Sequence, residues 1–154
     1  MFGHDAGMTG RWHEIRREPY LVAMEIDDPR RVLRLVGVYN AEGSLLGELR
    51  YIVGRARGTA HCELCDVTHG RLRKKAEFTR FQASALVPID LLHSDERPGD
   101  IAALTDGCAP CVLAETSSGY RIVLTRDEIA RCRGEVRRFD EALTAALRSH
   151  DLVL

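Results

Sequence analysis

The chain has 154 residues, 45% of them hydrophobic and 29% charged, with a formal net charge of −1. That size supports a buried core for one domain, and that composition is typical of a folded globular protein. The near-neutral charge supplies no global field for nucleic acid, and no apolar run reaches the roughly 20 residues that span a bilayer.

Residues 1–30 read as an N-terminal extension, and 31–154 as a single α/β domain. The extension is polar and irregular, with Pro19 and Pro29 as breakers; within it, "PYLVAMEI" has the pattern of a short edge strand. It lacks the apolar stretch of a secretory signal, so the expected location is cytoplasmic. In that reducing compartment a CxxC pair points to metal binding or catalysis rather than to a structural staple.

"RVLRLVGVY" (31–39) is an apolar, β-branched run and predicts a buried strand. From Ser44, Leu45, Leu49, Ile52 and Val53 fall on one face and predict a helix. The loop after it delivers "AHCELCDVTHG" (60–70). If 62–69 is helical, Cys62, Cys65 and His69 project within an arc of about 60°. Gly70 is placed to terminate that helix. A further helix is expected over 71–83, with Leu72, Phe78 and Phe81 inward, and a second strand over "SALVPIDLLH" (84–93). There Pro88 requires a bulge or an edge position.

"DIAALTDG" predicts a short helix, and "PCVLAET" (110–116) a third strand. "SSGY" is a hairpin turn leading into a fourth, antiparallel strand, "YRIVLT". Thr125 and Glu128 have the spacing of a capping box. Gly134 divides the helix they start from a final one, whose stripe is Val136, Phe139, Leu143 and Leu147.

The expected architecture is a central four-stranded mixed sheet flanked by helices. Its order resembles the thioredoxin-like layout, and Pro110 stands before the third strand, where that fold carries a cis-proline. One departure is plain. Thioredoxins place CxxC directly after the first strand, whereas here "YNAE" fills that slot and Cys62 comes 22 positions after Asn40. Ordinary thioredoxin chemistry therefore does not transfer unless the intervening chain folds back.

Two cysteines at CxxC spacing with a nearby imidazole suit two chemistries. In the first, Cys62 and Cys65 exchange with a disulfide of a small-molecule or protein substrate, and His69 or His93 serves as base. In the second, Cys62, Cys65 and His69 hold zinc together with Cys108 or Cys111 of "CAPC", or with His93. The 42 residues between Cys65 and Cys108 exceed the spacing of compact zinc ribbons. A third reading is a non-catalytic binding module in which the cysteines pack, as the fifth cysteine, Cys132, is expected to do. "HSDE" (93–96) follows the second strand, at the end where open α/β sheets carry functional groups. There His93 is a ligand or base, and Asp95 and Glu96 orient it or bind a cation.

From Arg50 to Gln82 there are eight Arg or Lys against three Asp or Glu. This run reads as a solvated face, and without interleaved aromatics it makes nucleic acid an unexpected partner. P-loop, GxGxxG, HExxH and CxxCH signatures are absent from the sequence.

"VYNAEGSLLGEL", "CELCDVTHG", "LLHSDE" and "EIARC", in this order, resemble an uncharacterised family of small bacterial proteins over about residues 35–149. The resemblance implies a coherent domain and points to Cys62, Cys65, His69, His93, Asp95 and Glu96. It implies no reaction, and "CAPC" and residues 1–30 lie outside it.

Overall fold

The structure, a computed structural model, describes residues 28–40, 62–70 and 73–154. The elements in chain order are β1 (Arg34–Val38), α1 (Glu63–Thr68), α2 (Ala76–Ser84), β2 (Ile89–Leu92), α3 (Gly99–Thr105), β3 (Cys111–Thr116), β4 (Gly119–Leu124), α4 (Arg126–Arg131) and α5 (Val136–Ser149). They form the expected mixed sheet flanked by helices, with strand order β2-β1-β3-β4. β1 runs parallel to β2 and antiparallel to β3, and β4 is antiparallel to β3.

β1 lies between two strands and has a core on each face, which explains its nearly unbroken apolar run. Leu35 and Tyr39 pack into a large cluster with Leu64, Phe78, Phe139 and Leu143. Val36 and Val38 point the other way, into a smaller cluster with Ile101, Cys111 and Leu113. The alternation is that of a pleated strand, and it places α1, α2, α4 and α5 against one face and α3 against the other.

Local signals decide the rest. Gly119 takes φ +109° in the β3–β4 turn, a conformation that suits glycine. The Glu128 carboxylate accepts hydrogen bonds from the Thr125 backbone N–H (2.8 Å) and hydroxyl (2.7 Å) at the start of α4. Gly134 takes φ +71° between α4 and α5. Val136, Phe139, Leu143 and Leu147 are buried along α5, as their spacing predicts.

Three boundaries differ from expectation. The helix expected over 71–83 begins only at Ala76, because Lys74 is extended and bridges to His69. The strand expected over 84–93 shrinks to Ile89–Leu92. Ser84 ends α2 and Leu86 is 80% exposed, while Pro88, which has no N–H to donate, precedes an edge strand. The helix expected over 62–69 spans Glu63–Thr68, with Cys62 and His69 as its caps. Gly70 does not take the left-handed conformation. The expected helix from Ser44, the "PYLVAMEI" strand, His61 and Leu72 lie outside the described residues.

Candidate functional site

The site is assembled at the carboxyl end of β1. β2 ends at the same level, since Val38 pairs with Leu92 and the Tyr39 N–H donates to the Leu92 carbonyl (2.9 Å). β3 begins there, with Cys111 paired to Val38, and the Ala109–Pro110 peptide just before it is cis.

α1 lies over this end because β1 carries Gly37. A Cβ at that position would come within 3.2 Å of a Leu64 methyl and 2.8 Å of a Leu91 methyl. The glycine thus makes room for Leu64, which is fully buried. On its far side α1 is held by the α4–α5 turn. Lys75 Nζ donates to the carbonyls of Asp66 (2.5 Å) and Gly134 (2.6 Å).

This docking brings Cys62 to the end of β1. Its sulfur accepts hydrogen bonds from the Asn40 backbone N–H and from both the backbone N–H and the thiol of Cys65. Cys62 is 0% exposed and Cys65 is partly exposed. The Cys65 thiol holds the Cys62 thiol below its usual pKa, burial opposes the shift, and the two backbone donors reinforce it. The dithiol therefore stands beside the end of the first strand despite its distance from it in sequence.

Beyond Cys65, the Thr68 hydroxyl is fully buried at the centre of a network. It lies 2.9 Å from the Tyr39 hydroxyl, which donates to it, 3.1 Å from the Leu64 carbonyl and 2.7 Å from His69 Nδ1. If Thr68 gives its one proton to Leu64, His69 carries its proton on Nδ1 and leaves Nε2 as the basic nitrogen. Burial, then Lys74, then His93 lower the His69 pKa and favour the neutral ring. The Tyr39 ring neighbours two imidazoles, with centroids 6.1 Å from His69 and 5.2 Å from His93.

His93 follows β2, as its place in "HSDE" predicts. Glu96 accepts from its backbone N–H (3.0 Å) and pairs with its Nδ1 (2.9 Å). These two contacts hold the Glu96 carboxyl below its usual pKa. Asp95 is exposed in the same turn, and its negative charge opposes the lowering of the Glu96 pKa.

The structure gathers Cys62, Cys65, His69, His93 and Glu96 at one end of the sheet. It does not add the second pair to them. Cys111 belongs to the cluster on the opposite face of β1 from Cys62, and burial pushes its thiol pKa up to about 11. Cys108 is exposed beside it. Cys62 and Cys111 therefore pack on opposite faces of the sheet. Among the described residues no three His, Cys, Asp or Glu side chains are grouped to hold a metal. Cys132 is buried, as expected, and its pKa is raised by that burial.

Sequence reasoning passed over Tyr39, Asn40 and Thr68. For Thr68 the available signal is its position beside a histidine. Asn40 acts through its backbone, which no side-chain pattern reveals. No protein-family model, curated protein or solved structure matches this chain. Among the described residues, no helix is long and apolar enough to cross a membrane.

Proposed function

We propose that this chain is a thiol–disulfide exchange protein of thioredoxin-like layout, with Cys62 and Cys65 as its working dithiol. The observation that carries the reading is the seat of Cys62: a buried sulfur at the end of the first strand, cradled by two backbone N–H groups and its partner thiol. Such donors stabilise a thiolate, the species that performs exchange. The layout is supported by the strand order, by the parallel β1–β2 pair beside two antiparallel ones, and by Pro110 at the same end.

In this reading one thiolate attacks a disulfide of a protein or small molecule and expels one thiol. The second cysteine then attacks the mixed disulfide, closing the Cys62–Cys65 bond and expelling the other thiol. The dithiol is oxidised and the substrate reduced by two electrons. An external thiol reductant, as found in the cytoplasm, restores the dithiol. His69, whose neutral form burial favours, serves as the base of the cluster, and the His93–Glu96 pair stands at the same end of the sheet.

The test is steady-state reduction of bis(2-hydroxyethyl) disulfide by dithiothreitol, with and without the full chain. Acceleration that disappears in a Cys62→Ser/Cys65→Ser double variant of unchanged circular dichroism is expected. A wild-type rate equal to that of the double variant refutes the reading.

A further inference from the structure

We propose that Cys65 is the attacking and attacked sulfur of this dithiol, and that Cys62 is the resolving and leaving sulfur. The proposal rests on the exchange reading above and assigns an order to its two cysteines.

Exchange at sulfur is a displacement in which the incoming sulfur approaches along the axis of the disulfide it breaks. The attacking atom must therefore be reachable by a bulky external S–S bond. Cys62 has no exposed surface, and its sulfur already receives three donors. Cys65 keeps surface accessible to solvent. It also stands one turn before His69, whose backbone N–H donates to the Cys65 carbonyl (2.8 Å). The Cys65 thiol points at the Cys62 sulfur, so Cys62, closed to an external partner, is already against the one sulfur it must attack.

The step balances from a dithiol holding one proton. As Cys65 attacks, its proton passes along the S–H···S hydrogen bond to Cys62. A bond forms between Cys65 and the nearer substrate sulfur, the substrate S–S bond breaks, and a substrate thiolate leaves. That thiolate takes the proton from Cys62. Cys62 then attacks the Cys65 sulfur, closing the internal disulfide and releasing the second substrate thiolate. Regeneration runs in the same geometry. An external thiolate strikes the partly exposed Cys65, and Cys62 departs into its cradle of donors, where a stabilised thiolate is a good leaving group.

The experiment uses the full chain in a Cys108→Ser background, which removes the exposed thiol of the second pair. Reduced protein is mixed with 5,5′-dithiobis(2-nitrobenzoate), thiol release is followed by absorbance, and adducts are located by peptide mass mapping. Cys62→Ser is expected to release one equivalent and hold a stable mixed disulfide on Cys65. Cys65→Ser is expected to slow release on the order of 100-fold, the consequence of an inaccessible sulfur. Faster adduct formation on Cys62 in Cys65→Ser than on Cys65 in Cys62→Ser overturns the order. Because Cys62 is buried, its variant is backed by an acid-quenched time course of the protein carrying both cysteines, in which the first adduct must map to Cys65. A first adduct on Cys62 there overturns the order equally. Failure of that protein to form any Cys62–Cys65 disulfide overturns the exchange reading itself, a result distinguishable from a reversed order.

Discussion

The Thr68 network permits a quantitative test through Thr68→Val, Tyr39→Phe and the double variant. Valine matches threonine in shape, so the first change removes little packing. It does strip the Tyr39 hydroxyl of its 2.9 Å acceptor and His69 Nδ1 of its 2.7 Å partner, and Tyr39 is only 3% exposed. Removing a hydrogen-bond partner from buried polar groups costs about 1–3 kcal/mol, so the expected loss is about 2 kcal/mol. Tyr39→Phe leaves Thr68 able to donate to the Leu64 carbonyl at 3.1 Å and removes one neutral hydrogen bond, about 1 kcal/mol. The double variant contains neither member of the Tyr–Thr pair and is expected to lose about 2 rather than 3 kcal/mol, a coupling of about 1 kcal/mol. For a chain of this size each kcal/mol corresponds to about 2–4 °C in Tm. Urea unfolding followed by circular dichroism gives the numbers, with constant m-values as the control. A double variant additive to within about 0.3 kcal/mol would mean that the two hydroxyls are not coupled.

The His69 ring is expected to titrate below the ordinary histidine value, and Lys74→Gln to move it upward by removing one of the charges that lower it; NMR titration of the ring protons reads both, and a His69 pKa at or above about 6.5 contradicts the assignment. The folded state then binds fewer protons than the unfolded one between the lowered pKa and about 6.5, so this contribution to stability is complete above that window and is lost as pH falls through it. Gly134→Ala is expected to cost about 2–3 kcal/mol, since φ is +71° and the new Cβ would lie 2.9 Å from the Asp66 carbonyl oxygen. Gly107→Ala, at the same φ with nothing within 4 Å, should cost only about 1–2 kcal/mol. Equal Tm losses for the two variants would show that contact between α1 and the α4–α5 turn does not hold the helix.

The sheet was legible because its signals are local. β1 and β3 each carry several buried apolar residues and β4 carries two, and Gly119 marks the turn between β3 and β4. The capping pair Thr125–Glu128 and the stripe of α5 are likewise written within one or two turns of chain. β2 was overextended because "SALV" is apolar in sequence. Its first residues end a helix and enter a bend, and Leu86 is exposed there. Hydrophobic pattern alone does not separate a strand from the apolar end of a neighbouring helix. Pro88 was the better marker of where pairing begins.

The dithiol shows the opposite relation between sequence and structure. Its residue types and spacing were visible, but its place was not, because distance along the chain from Asn40 suggested separation from the first strand. What overrides that distance is a set of contacts made by residues with no chemistry of their own. Gly37 leaves the hollow that Leu64 fills, and Lys75 and Gly134 grip the other side of α1. Once α1 is seated, Cys62 meets the Asn40 N–H, and Cys65, partly exposed, meets Cys62. The same docking sends Cys62 to one face of the sheet while β3 sends Cys111 to the other. Two pairs with the same spacing are thereby given different environments: one donor-rich, with a thiol pKa held down, the other apolar, with a thiol pKa pushed up. The environment of each cysteine follows from which face it is delivered to, a property of tertiary packing that the CxxC spacing does not encode.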